Sequence, residues 1–83
     1  MKTYTTKIAV YDASTKILID TYTLTSVSRS QRVNDMKAMT NVKKEYRESR
    51  LTELSDKYSD VIYRLAEDGL LNPLQGYTFE ILR

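Results

Sequence analysis

Seven basic side chains fall within the 22 residues from Arg29 to Arg50: Arg29, Arg32, Lys37, Lys43, Lys44, Arg47 and Arg50. Guanidinium and ammonium groups bind anions, arginine as a planar fork matching carboxylate or phosphate and lysine as a point charge. Ser28 and Ser30 stand where a helix is expected to begin. A helix N-terminus adds free N–H groups and the positive end of its dipole, so with Arg29 and Arg32 beside it this terminus is a candidate dock for an anion. Lys43, Lys44, Arg47 and Arg50 form a ridge suited to a nucleic-acid backbone or to an acidic protein surface. Tyr46 sits among them as a large amphipathic contact. Glu45 and Glu48 interleave with these cations, as they do on an ordinary solvated helix face.

Reaction chemistry has little to work with. The chain has no histidine and no cysteine, so the usual neutral-pH base, the thiol nucleophile and the two most specific metal ligands are missing. Gly69 and Gly76, its two glycines, cannot build a phosphate-cradling loop. Asp56 and Asp60 fall one helical turn apart, a spacing at which two carboxylates can share a hard cation. Glu53–Lys57 and Asp60–Arg64, at i,i+4, read more simply as ion pairs on a solvated helix. A Ser–Lys pair is the one nucleophilic arrangement the composition leaves open. The expectation is a chain that is not an enzyme and holds no catalytic residue, cofactor or metal.

Seven of the eight aromatic residues are tyrosines, four on expected strands (Tyr4, Tyr11, Tyr22, Tyr77) and three on expected helices (Tyr46, Tyr58, Tyr63). Tyrosine suits interfaces, and on a sheet it can stack bases. No sequence signature of a sheet-based RNA binder accompanies them, which favours packing. Leu70, Leu71 and Leu74 crowd one turn region, to close an open end of the core or to form an exposed apolar patch.

These residues must be held by a small number of elements. Residues 3–12 and 16–25 are rich in β-branched and aromatic types. The polar turn from Asp12 to Lys16 joins them into an antiparallel hairpin over 1–26. On the first strand Tyr4, Thr6, Ile8 and Val10 share a face; on the second Leu18, Tyr22 and Leu24 do, with Asp20 interrupting. No glycine or proline occurs in the 41 residues between Val27 and Gly69, and a helical segment is expected over 28–68. Ser28 and Gln31 have the spacing of a capping box at its start.

Val33, Met36, Met39, Val42 and Tyr46 make one apolar stripe; Leu51, Leu54, Tyr58, Val61, Ile62 and Leu65 make a second. The stripes are out of phase by roughly 140°, and one continuous helix would run to about 60 Å against strands of about 33 Å. A break near 40–50 is expected, at Thr40–Asn41 or at Glu48–Ser49–Arg50, the first being preferred because Lys43 to Leu54 is rich in good helix formers. One long helix packed on a second subunit is the alternative. Asp68–Gly69 caps the segment, and Tyr77 to Ile81 alternates as a strand within 76–82. The order ββα(α)β implies an α+β domain: a three-stranded antiparallel sheet packed on one or two helices.

Eighty-three residues make one small domain with a thin core, a size that often gains stability from a partner or a second copy. The net charge is +2, but residues 27–50 hold seven Lys/Arg against three Asp/Glu, whereas 51–83 hold three against six. No run is long and apolar enough for a signal peptide or a membrane span, and the absence of cysteine favours a reducing, cytoplasmic setting. In size and general architecture the chain resembles small phage accessory proteins that inhibit host or defence machinery, anti-CRISPR proteins among them.

The leading expectation is therefore a non-catalytic binding module. It engages a protein partner, at a site that receives nucleic acid or another anionic ligand, through Arg29, Arg32, Lys43, Lys44, Arg47 and Arg50 with Tyr46. Direct DNA or RNA binding and a homodimer built on the long helix are the alternatives.

Overall fold

Alternating β-branched residues carry the first strand, β1 (Lys2–Asp12), into the centre of a sheet. It pairs antiparallel with β2 (Leu18–Ser28) on one side and with β3 (Tyr77–Leu82) on the other, in the order β2-β1-β3. With helices α1 (Gln31–Tyr58) and α2 (Val61–Glu67) between β2 and β3, this is the α+β fold that the pattern predicts. The computed structural model describes all of residues 1–83, and contacts divide them into two compact units: 1–42 with 76–83, and 43–75.

In the first unit the hairpin turn is built on Asp12. Its Oδ1 accepts the Ser14 N–H at 2.9 Å, the Ser14 hydroxyl at 2.7 Å and the Thr15 N–H at 2.9 Å. These bonds hold the carboxyl near pKa about 2, the Thr15 N–H contributing most. Lys16 takes the left-handed conformation (φ 61°) that closes the loop.

Thr6, Ile8 and Val10 are buried on one face of β1 as expected, with Tyr22, Leu24, Phe79 and Ile81 half-buried beside them. Leu18 departs from the expected face. The register shifts between Val10 and Tyr11, leaving Ile19 unopposed and setting Leu18 opposite Tyr11. A bulge inserts one residue into a period of two, which turns everything beyond it to the other side.

The helix begins later than its serines suggest. β2 runs on to Ser28, which is buried, and the cap is Ser30, whose Oγ accepts the Val33 N–H at 3.2 Å. The expected inward stripe is also displaced. Asn34, Asp35, Ala38 and Val42 are the buried residues of this half of α1, while Val33 and Met39 are half-buried and Met36 is 63% exposed. Hydroxyls on the facing sheet make the difference: Thr6, Ser26 and Ser28 offer partners that draw Asn34 and Asp35 inward.

No break occurs near 40–50. α1 is continuous for 28 residues, and the interruption falls at Ser59, whose φ of 146° is unusual for a residue with a side chain. Thr40 and Asn41 are weak helix formers by only about 0.7 kcal/mol each. Buried Ala38 and Val42 anchor the helix on either side of them.

In the second unit, Leu51, Ile62 and Pro73 are buried. α2 ends on Gly69 (φ 75°) in a Schellman arrangement, Gly69 N–H to Ala66 O at 3.2 Å and Leu70 N–H to Leu65 O at 2.9 Å. Asn72 then organises the turn, its Oδ1 accepting the Leu74 N–H at 3.0 Å and its carbonyl the Gln75 N–H at 3.1 Å. Leu70 is 76% exposed and closes nothing; Leu71 and Leu74 are half-buried.

Candidate functional site

The expected basic residues divide between the two units. Arg29 and Arg32, at the head of α1 in the first, are both exposed. In the second, Lys43 and Lys44 are exposed, and Arg47, Arg50 and Tyr46 are half-buried. Arg50 Nη1 pairs with Glu53 Oε1 at 3.2 Å, which neutralises part of the ridge internally. Glu53 is thereby engaged three residues back rather than with Lys57, whose ammonium lies 5.3 Å from the centre of the Tyr58 ring. Glu45 and Glu48 are exposed among the cations.

Lys37 has a different use. Its Nζ donates to the Val27 carbonyl at 3.2 Å and to Ser28 Oγ at 3.0 Å. A Ser–Lys contact of this kind is the arrangement composition left open, but Ser28 is 2% exposed, and its Oγ also bonds to Asn34 Oδ1 at 3.2 Å. A substrate carbonyl cannot reach that oxygen, so the contact serves as a fastening between α1 and the end of β2. The Asp56–Asp60 candidate dissolves as well: the helix stops between them, and Asp60 Oδ1 instead accepts the Ser55 hydroxyl at 3.0 Å. No group of three or more acidic residues is gathered in a way that would hold a metal ion. No helix is long and apolar enough to cross a membrane.

The most connected polar cluster was not evident in the sequence. Thr6 Oγ1 donates to Asp35 Oδ1 at 2.7 Å and accepts from Asn34 Nδ2 at 2.8 Å and Gln31 Nε2 at 3.0 Å. Asn34 Nδ2 also donates to the Leu24 carbonyl at 3.2 Å, and its Oδ1 takes the Ser26 and Ser28 hydroxyls. Gln31 Nε2 reaches the Thr5 carbonyl at 3.1 Å and Asp35 Oδ1 at 2.9 Å. The Arg83 guanidinium pairs with Asp35 Oδ2.

This surrounding holds the Asp35 carboxyl near pKa about 2, with Arg83 the largest cause and Thr6 and Gln31 next. No buried side-chain polar atom is left without a partner. A network of this kind sets the seating of α1 on the sheet. Its one sequence clue is Thr6, a polar residue in line with Tyr4, Ile8 and Val10.

Beside the network a groove of about 570 Å³ opens between β2 and α1, lined by Leu24, Val33 and Met36 with Lys37 and Thr40 at its rim. It is mostly apolar. Compared with protein families, with curated proteins and with solved structures, the chain matches none.

Proposed function

We propose that this chain is a non-catalytic binding module that meets an acidic surface of a protein partner through Lys43, Lys44 and Arg47 with Tyr46. The observation that supports this reading is the placement of four cations within eight residues of one helix, Lys44 and Arg47 among them holding no acidic partner. Cations on a regular helix keep their spacing, so a complementary surface can be met without ordering a loop.

Electrostatics also narrows the kind of surface. A pocket built to receive nucleic acid is itself cationic and repels this ridge, so an acidic face is the better match. An inhibitor role, which the resemblance to phage accessory proteins implies, needs only that the module cover such a face. Direct nucleic-acid binding is less favoured, because exposed Glu45 and Glu48 stand between the cations that would follow a phosphate backbone.

The test is affinity capture from nuclease-treated lysate with the wild type and with the K43E/K44E/R47E triple variant. The partner identified by mass spectrometry is then titrated against both. Affinity is expected to fall by about tenfold or more with an unchanged circular-dichroism spectrum. Equal affinity of the two proteins would show that the ridge is only solvated surface. Capture that depends on intact nucleic acid, with affinity falling steeply between about 50 and 200 mM salt, would replace the reading with direct nucleic-acid binding.

A further inference from the structure

From the edge of the sheet, independently of the basic ridge, we infer that two copies of this chain associate by pairing their β2 strands antiparallel, joining the two sheets. β2 is an outer strand with β1 as its only neighbour. Exposed edges are ordinarily guarded by a charged side chain, a proline or a bulge along the open stretch; on β2 the one charge, Asp20, and the bulge at Ile19 both fall toward its first end. From Asp20 to Ser28 β2 contains no Lys, Arg, Pro or Gly, and its register with β1 is unbroken.

Two hydrogen bonds show which groups point outward. The Val27 carbonyl is met from off the sheet by Lys37 Nζ, and the Thr21 N–H is met by its own neighbour's carboxylate, Asp20 Oδ1, at 2.8 Å. Strand alternation then turns the N–H and C=O of Thr21, Thr23 and Thr25 to the open edge. The groups of Thr23 and Thr25, with the Thr21 carbonyl, are a row of donors and acceptors ready for another strand, and the Thr21 N–H joins them when it exchanges its Asp20 contact for the second copy.

The sequence of β2 is complementary to itself about Thr23. In an antiparallel pair centred there, Thr21 faces Thr25 of the second copy and Tyr22 faces Leu24. Asp20 faces Ser26, beside the Val27 and Ser28 atoms that hold Lys37. The strand's one acid thus meets the cation at its rim, twice by symmetry, while the two Asp20 residues stay about 20 Å apart. A centre at Thr21 would bring those acids within about 7 Å, so charge as well as apolar pairing selects Thr23.

The same two-fold axis places the helices of both copies on one face of the joined sheet. The groove beside β2 in each copy then opens onto its counterpart, and the exposed Met36 and half-buried Leu24 gain an apolar surface to cover. The opposite edge fits less well: β3 has six residues and carries Glu80 on its exposed face.

The experiment is sedimentation equilibrium over a dilution series up to about 1 mM, run on the wild type and on the T23P, D20K, K37E and D20K/K37E variants. The wild type is expected to approach twice its 9.7 kDa chain mass. Thr23→Pro removes an outward N–H at an exposed edge position, which a monomer tolerates, and is expected to abolish association with an unchanged circular-dichroism spectrum. Each single charge reversal is expected to weaken the dimer by about tenfold or more, and the double exchange to restore it. A wild type that stays at 9.7 kDa overturns the inference. So does a dimer indifferent to T23P, or a double exchange no tighter than the single reversals.

Discussion

Two carboxylates carry the pH response at the level of single residues. Asp35 is held low by Arg83, Thr6 and Gln31, and Asp12 by the Thr15 and Ser14 N–H groups and the Ser14 hydroxyl, each at about 2 against an ordinary 3.8. A carboxyl whose folded pKa lies below its unfolded one contributes stability that is complete above the unfolded value. That contribution is lost as pH falls through the folded one. Between about pH 4 and pH 2 the wild type should therefore lose its advantage over D12N and D35N, measured by urea denaturation at fixed pH steps. A stability difference between wild type and D35N that stays constant across that window would mean that Asp35 gains nothing from its ionised state. Arg83 joins the account here, since a residue at the far end of the chain provides the largest share of the Asp35 shift.

Among the elements, α1 is the one whose course departs most from its pattern. Thr40 and Asn41 occupy exposed interior positions of an unbroken helix. Replacing each with alanine should therefore stabilise the fold by about 0.7 kcal/mol, seen as a higher denaturation midpoint at unchanged slope. At a true helix break the same changes would be neutral or harmful, because capping residues would be lost. The actual interruption at Ser59 uses a backbone conformation that favours glycine, and no sequence cue marks it. Ser28 and Ser30 show a related ambiguity: either serves as a cap by type, and the length of β2 decides between them.

For the molecule as a whole, the two compact units differ in how much they bury. Ile8, Ala9, Val10, Ala38 and Val42 form the apolar core of the first, together with the saturated polar network, whereas Leu51, Ile62 and Pro73 are the buried residues of the second. Local stability follows buried contact, even along a single helix. Native-state hydrogen exchange should accordingly find the amides of residues 38–42 protected by about tenfold or more over those of 52–56, although both stretches are helical. Uniform protection along α1 would mean that the units open together.

The sequence by itself determined the hairpin, the helical segment, the last strand and their order, because strand and helix periods, the Asp12 turn and the Gly69 cap are encoded locally. It also marked the clustering of cations between Arg29 and Arg50. Tertiary structure decided which face of each element turned inward. A bulge at Ile19 redirected Leu18, and hydroxyls on the sheet drew Asn34 and Asp35 inward, leaving Met36 in the open beside an unpaired strand edge. The physical reason is that a buried polar group is acceptable only when its partners are in place, and two of the key contacts span more than 20 residues: Thr6 to Asn34, and Asp35 to Arg83.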